Sequence, residues 1–593
     1  MENTSIGAII ATLRYEKKCS RRKLCQGLCS TQMMIKIEND ETEVDKFMLD
    51  MLLQRLGKSP DKLEVILSDE EYEKIYTRDY IEELIWKNEK EEAEDLLKKY
   101  EERYAKDSNV QKMFVLRTKA YICRNLERDI KKVEDYIWQA IVMTLPGINS
   151  INIKNYLFSV TEMENMLELG RCLIEQERTG EAEELLAVCQ EYIDINFTDE
   201  VEYAKLNSKS SWLLACIYVK KGAYLQAYQV CEKAMSWLRK YGILYFMLPL
   251  LEKLFYCSEK LGIDSNRNKW KIYYDIVRQL YEDYGESWYC QDSLFHNCYQ
   301  TSYHLASEFI RQERHAQELT QEKLIEGVYE TPENLSRVEN GRATPTRKKF
   351  ERLMGKLGFE RGKYCGTVIV DEFKVLQQKY ELDILIGTGK YEEAQEKFNF
   401  LYYALDRKKK VNAMALDIYQ ILIDVGTEKL DAKNAYENLN SILEDGFLLR
   451  NGKLYRAPFH HELLALNMMC SCLKRIGKWE EAGFVYKEVI RVVETSKVDV
   501  KYQNVIMSLV LANSNLFDTD INGCNEGISY ELACGKGKMI YMHLAAQIGL
   551  LENRDDDCKI AYTAYYLSDL FLRGTNRQQI KKYYEETYGE KMM

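Results

Sequence analysis

Two clusters of cationic side chains set the chemistry open to this chain. Between Arg14 and Lys36 stand Arg14, Lys17, Lys18, Arg21, Arg22, Lys23 and Lys36, against Glu16 alone. A second cluster, Arg337, Arg342, Arg347, Lys348 and Lys349, is diluted by Glu318, Glu322, Glu326, Glu330 and Glu333. Such clusters suit a polyanion, because each phosphate neutralised by Lys or Arg releases a condensed counterion. The net charge of −11 over 593 residues looks opposed to this, but the distribution of charge, not its sum, decides where an anion docks.

Other chemistries lack their residues. No nucleophile constellation is present, and Gly535-Lys536-Gly537 lacks the spacing of a phosphate loop. The 17 cysteines include two tempting groups, Cys19/Cys25/Cys29 and Cys470/Cys472, but neither has paired CxxC knuckles or histidines at zinc spacing. They are expected as reduced, buried small hydrophobes. No metal, cofactor or enzymatic activity is expected. No run of about 18 apolar residues exists, so no membrane span is expected. The start MENTSIGAII has no signal-peptide character, which predicts a cytoplasmic protein.

The elements that carry the cationic clusters are short helices. Leu319–Pro345 reads as helix, tight turn, helix and polar stop. Thr320 is placed to cap the first helix, and Leu324 and Ile325 give it an apolar face. Gly327-Val328-Tyr329 turns the chain. Thr331 is placed to cap a second helix with Pro332 at its first position, where Leu335 and Val338 share one face. Asn340-Gly341 should end it through left-handed backbone. Residues Ser20–Asn39, SRRKLCQGLCSTQMMIKIEN, carry the same pattern.

The ordered set TQEKL, turn, LSRVENG and a later proline resembles the Cro/repressor-type (XRE family) helix-turn-helix over roughly Ile310–Leu357. The resemblance implies that Arg14–Glu38 and Arg314–Glu339 are structural pairs joining the first helix to the end of the recognition helix. It also implies that each recognition helix enters the major groove with its first residues toward base edges. In the first copy these are Thr31, Gln32 and Met33, with Lys36 one turn on. Gln32 matches adenine and Met33 a thymine methyl, while Arg21, Arg22 and Ser30 lie near phosphate. In the second copy they are Pro332, Glu333 and Asn334, followed by Arg337. Asn334 matches adenine, Glu333 a cytosine amine, and Gln321 and Thr331 are placed for phosphate. Those carboxylates leave two readings of the second copy open, a weaker DNA reader or a degenerate domain that keeps the fold alone.

The two copies align beyond the motif. Ile10, Arg14, Ser20, Lys23, Leu24 and Gly27 match Ile310, Arg314, Thr320, Lys323, Leu324 and Gly327 at an offset of 300. After a turn one residue shorter in the first copy, the offset is 301 from Ser30/Thr331 to Gly57/Gly358, and still 301 at Leu84/Leu385 and Ala93/Ala394. LYEDYG (280–285) also echoes YYEETYG (583–589). This reads as one ancestral unit written twice.

After each helix-turn-helix the pattern becomes a series of amphipathic helices. Leu214, Ala215, Tyr218, Gly222, Tyr224, Ala227 and Ala234 fall where a tetratricopeptide repeat places its packing residues, and similar joints recur at NEKEEA (88–93), GKYEEA (389–394) and GKWEEA (477–482). The fold class predicted is all-α: helix-turn-helix domains at 1–67 and 301–362, each followed by a tetratricopeptide-like solenoid of five or six helix pairs, at 68–300 and 363–593. The combination resembles peptide-responsive bacterial transcription regulators. That resemblance implies double-stranded DNA and a signalling peptide or protein as partners, and a homodimer or an intramolecular pseudo-dimer as the assembly. The alternative function is a peptide- or protein-binding scaffold whose helix-turn-helix domains are vestigial.

Overall fold

The computed structural model describes residues 6–60, 63–106, 108–149, 152–286, 303–359, 364–365, 368–370, 372–387, 389–503, 521–548, 551, 554–572 and 574–589. Helices dominate, as the few prolines and the 3.6-residue apolar period require. The first small domain is α1 (Ile6–Glu16), α2 (Arg21–Cys25), α3 (Thr31–Glu38) and α4 (Lys46–Arg55), followed by strand β1 (Glu64–Leu67). Leu49, Leu52 and Leu53 on α4 are completely buried.

Five helix pairs follow: α5 (Asp69–Trp86) and α6 (Lys90–Tyr104), α7 (Asn109–Ile122) and α8 (Ile130–Thr144), α9 (Val160–Glu175) and α10 (Thr179–Asn196), α11 (Glu200–Lys220) and α12 (Tyr224–Tyr241), α13 (Met247–Leu261) and α14 (Asp264–Asp283). Each helix packs on the next, and α11 also touches both α9 and α13, the stacking of a solenoid. Ala215 and Ala227 are fully buried between α11 and α12. The joints turn through left-handed residues, Asn88, Gly222, Gly389 and Gly477, with φ of 61°, 73°, 73° and 82°.

The second half repeats the order with β2 (Tyr303–Leu305), α15 (Ala306–Ala316), α16 (Gln321–Ile325), α17 (Pro332–Glu339), α18 (Arg347–Lys356) and β3 (Tyr364–Cys365). Its array begins α19 (Phe373–Gly387), α20 (Tyr391–Ala404), α21 (Lys410–Gly426), α22 (Ala432–Asp445), α23 (His460–Arg475) and α24 (Trp479–Thr495). It closes with α25 (Ile521–Ala533), α26 (Ile540–Gln547), α27 (Arg554–Leu570) and α28 (Gly574–Tyr588). The expected boundaries at 300/301 and 362/363 lie outside the described residues. That at 67/68 falls where β1 meets Ser68, the N-cap of α5.

The strands depart from a purely helical reading. β1 pairs in parallel with β2, Val65 facing Tyr303 and Leu67 facing Leu305, and antiparallel with β3, Glu64 facing Cys365. Val65, Ile66 and Leu67 are all buried, as in a strand covered on both faces. The cores also cross between halves. One joins Leu24, Met34 and Leu52 of the first small domain to Leu422, Leu439 and Leu466 of the second array. Another joins Leu238, Leu254 and Tyr281 to Leu532, Leu544 and Tyr565 at the C-terminal ends of both arrays.

Candidate nucleic-acid interface

Side-chain caps set the first helix-turn-helix. The Ser20 hydroxyl accepts from the Lys23 N–H at 3.2 Å and the Ser30 hydroxyl from the Met33 N–H at 3.1 Å, satisfying amides that have no partner within the helix. Leu24, Met34 and Ile37 turn inward. Arg14 donates from Nε to Glu38 Oε1 at 2.6 Å, and through its other nitrogens to Glu38 Oε2 and the Cys19 carbonyl, both at 3.1 Å. The second copy reproduces this: Arg314 donates to Glu339 at 2.6 and 3.1 Å and to the Leu319 carbonyl at 3.0 Å. Both pairs are buried and structural.

The opposite face of α3 is open. Thr31, Gln32, Ile35 and Lys36 are exposed, and Arg22 is exposed at the start of α2. Neither Arg22 nor Lys36 is ion-paired to a described residue. Ile35 joins Gln32 and Lys36 on one face, an apolar contact that the sequence reading passed over. Its signal was the spacing, since it falls off the Met34/Ile37 stripe. Met33 is half-buried against the core, whereas Ile35 is exposed. Arg21 is partly occupied, its Nε donating to Glu38 Oε2 at 2.6 Å.

The second copy keeps the frame and changes the face. Thr320 caps α16, accepting from the Lys323 N–H at 3.3 Å. Thr331 does not cap α17, contrary to expectation. Its φ is −137°, against −71° at Ser30. Asn340 keeps an ordinary φ of −97°, and Gly341 alone is left-handed, at 71°. Glu333, Asn334 and Arg337 are exposed. Glu333 is held below the usual carboxylate range by its own N–H and then by Thr331, and Glu322 in the same way by its own N–H and Thr320. Two firmly ionised carboxylates therefore stand at the front of this motif. Gln321, like Arg21, is spent on the glutamate, donating to Glu339 at 2.7 Å. Arg347 pairs with Asp40 and Glu351 at 3.2 and 2.7 Å, which removes it from the cationic cluster.

A second candidate site lies inside the first array. Arg117, on α7, pairs with Glu164 at 3.2 Å, and Lys209, on α11, with Glu168 at 2.6 Å. Arg124 reaches Glu168 at 3.1 Å from a π-helical turn, Cys123–Glu127, a distortion that often marks functional sites. Burial would raise the Glu168 pKa, but Lys209, Arg124 and Arg171 override it and hold the carboxylate low. Beside them Asn165 is completely buried, and among the described residues neither its amide nitrogen nor its oxygen has a hydrogen-bond partner. These residues come from α7, α9 and α11, the first helices of successive pairs. The second array places Leu464, Ala465 and Met468 at the same steps of α23, 300 positions on from Glu164, Asn165 and Glu168.

No protein family and no curated protein matches the sequence. Among solved structures the chain is similar to Bacillus thuringiensis PlcR in complex with the peptide PapR7 and DNA, at 13% identity and a TM-score of 0.31, over 46% of this chain and 98% of that one. It is also similar to ComR from S. thermophilus in complex with DNA and its signalling peptide ComS, at 14% identity and a TM-score of 0.28, over 47% and 99%. Among the described residues no helix is long and apolar enough to cross a membrane.

Proposed function

We propose that the chain is a sequence-specific DNA-binding transcriptional regulator, controlled by a peptide or protein held in its helical-repeat domains. In this reading 1–67 is the principal DNA-binding domain, 68–300 the receptor array, 301–362 a weaker DNA-binding domain and 363–593 an array given over to support. The observation that carries it is the open face of α3: Gln32, Ile35 and Lys36 exposed together with Arg22, while Glu38 is neutralised internally by Arg14 and Arg21. Base edges take the amide and the apolar side chain, and phosphates the cations.

The polar cluster buried inside the first array supports the control, because a ligand must part its helices to reach it. A buried amide with donor and acceptor both unmet is costly, and a peptide main chain offers the complementary pair. Such a ligand shifts the protein only if it favours one arrangement over another, and by reciprocity the operator must alter its affinity equally. The test is retention on duplex DNA across a salt gradient, with and without fractionated culture peptides. Steep salt dependence, altered by one peptide fraction, is expected. Retention that ignores salt would support the vestigial-domain scaffold instead.

A further inference from the structure

We infer that one chain fills one operator, its second half standing where a second subunit would stand, and that the operator is two unlike half-sites. This rests on the DNA-binding reading above and adds stoichiometry and site architecture to it.

The β1–β3 ladder carries the argument. It is antiparallel, and Glu64 faces Cys365, 301 positions on, the offset that relates Ser30–Gly57 to Thr331–Gly358. In an antiparallel ladder a residue that faces its own counterpart marks a local twofold axis, because a half-turn exchanges the strands. A second antiparallel contact closes the far end, between residues 293 positions apart, a spacing shorter than the repeat offset. Ile243 bridges Lys536 antiparallel, with the Leu244 N–H donating to the Gly535 carbonyl and the Gly537 N–H to the Gly242 carbonyl, both at 2.9 Å. Each bridging residue stands four positions before a helix, α13 at Met247 and α26 at Ile540. The far contact is thus reciprocal in its hydrogen bonds and joins two segments that lead into a helix at the same step.

The chain's own halves cover the surfaces through which two such units would pair. β1 has a neighbour on both edges. Arg239 donates to the Leu570 and Asp569 carbonyls at 2.8 and 3.1 Å, and Tyr273 to the Asp569 carboxylate. A twofold-related pair of helix-turn-helix domains reads half-sites about one helical turn apart.

The halves differ where bases and phosphates would be met. Gln32, Met33 and Ile35 are replaced by Glu333, Asn334 and Ser336, and Arg22 by Glu322. Lys36 becomes Arg337 and keeps its charge. The first half-site is therefore held through cations and read by an amide with an apolar neighbour. The second is held weakly, with Asn334 and Glu333 set to read adenine and cytosine amine groups. Covalent linkage lets a weak second half-site contribute, because its effective concentration is high once the first is bound.

The experiment is selection from random duplexes by the full-length protein, followed by native mass spectrometry of the selected complex. One 69.8 kDa chain per duplex is expected, on a site with two different half-sites. Gln32→Ala should relax preference in one half-site and Asn334→Ala in the other, each by about tenfold or more against the wrong base. Two chains on a palindrome would overturn the inference and leave the DNA-binding reading standing. A single half-site indifferent to Asn334→Ala would do the same. Selection of no duplex at all would overturn both.

Discussion

Arg55 and Glu162, 107 residues apart, are joined inside the protein, with the Arg55 Nε 3.0 Å from Oε2 and both side chains excluded from solvent. The same guanidinium donates to the Leu24 and Gln26 carbonyls at 2.8 Å and to that of Thr144 at 3.0 Å. One side chain thus ties α2 and α4 to α8 and α9. The second half solves the joint differently: Arg456 serves Glu462 and Glu313, while Lys356, aligned with Arg55, reaches the Lys323 carbonyl. Arg55→Leu leaves Glu162 buried without its cation and should cost about 3–5 kcal/mol, read as a lower urea midpoint. An unchanged midpoint would show that the joint does not depend on the pair.

Salt dependence should report on α2 and α3. The double change Arg22→Ala, Lys36→Ala removes two exposed cations that pair with no described residue, so the slope of log affinity against log salt should fall by up to about 2, at roughly 0.9 per phosphate contact. Adding Arg21→Ala should act mainly on thermal stability, because Arg21 shares Glu38 with Arg14. If the double variant keeps the wild-type slope, phosphate is met elsewhere.

Gln32 is expected to carry preference and little bulk affinity. Gln32→Ala should cost about 1–3 kcal/mol at one or two positions of the site, measured by competition among single-base variants of the operator. An equal loss on every sequence would assign Gln32 to positioning instead.

Gly341→Ala tests the contact between the halves. At φ 71° a Cβ is strained, and it would also lie 2.1 Å from Asp69 Oδ1, whose carboxylate accepts from the Ser307 hydroxyl at 2.9 Å. A loss of about 1–3 kcal/mol is expected. Pairing it with Asp69→Ala should recover the steric part only, leaving the backbone strain. Simple addition of the two losses would argue against the clash.

Acid should weaken the end of the molecule where the arrays meet. His543 is completely buried, its ring nitrogens have no hydrogen-bond partner among the described residues, and burial lowers its pKa to about 4. Above pH 6.5 it is neutral in both folded and unfolded chains and contributes no pH dependence. As pH falls from about 6.5 to 4 the unfolded chain takes up the proton and the folded one does not. Stability should therefore fall over that window, by on the order of 3 kcal/mol. His543→Phe should flatten this part of the stability–pH curve. The same decline in the variant would place the sensitivity in other groups.

The helix-turn-helix frames were legible because they are local: Arg14 and Glu38, or Leu335 and Val338, lie within one short segment whose caps and apolar spacing can be read together. Thr331 misled because its backbone, at φ −137° ahead of Pro332, departs from the −71° of the capping Ser30, and the identity of a residue does not reveal that angle. The sheet had no local signal, since Val65 meets Tyr303 across the whole first array. Inside that array, Glu164, Glu168 and Lys209 look like a solvated face in sequence. They are buried only because helices from neighbouring pairs close over them, and that stacking lies outside any single window.

The parallel partner of β1 is 238 residues further along the chain, and this sets the order of events at the ribosome. When residues 64–67 emerge, neither of the strands that flank them has been made, and the second array that completes the first core is still untranslated. The leading half must wait with an open strand edge and uncovered apolar side chains, the condition in which nascent chains associate wrongly. A message truncated near its middle would therefore yield not half a working protein but a sticky fragment, and a slow ribosome would lengthen the hazardous interval.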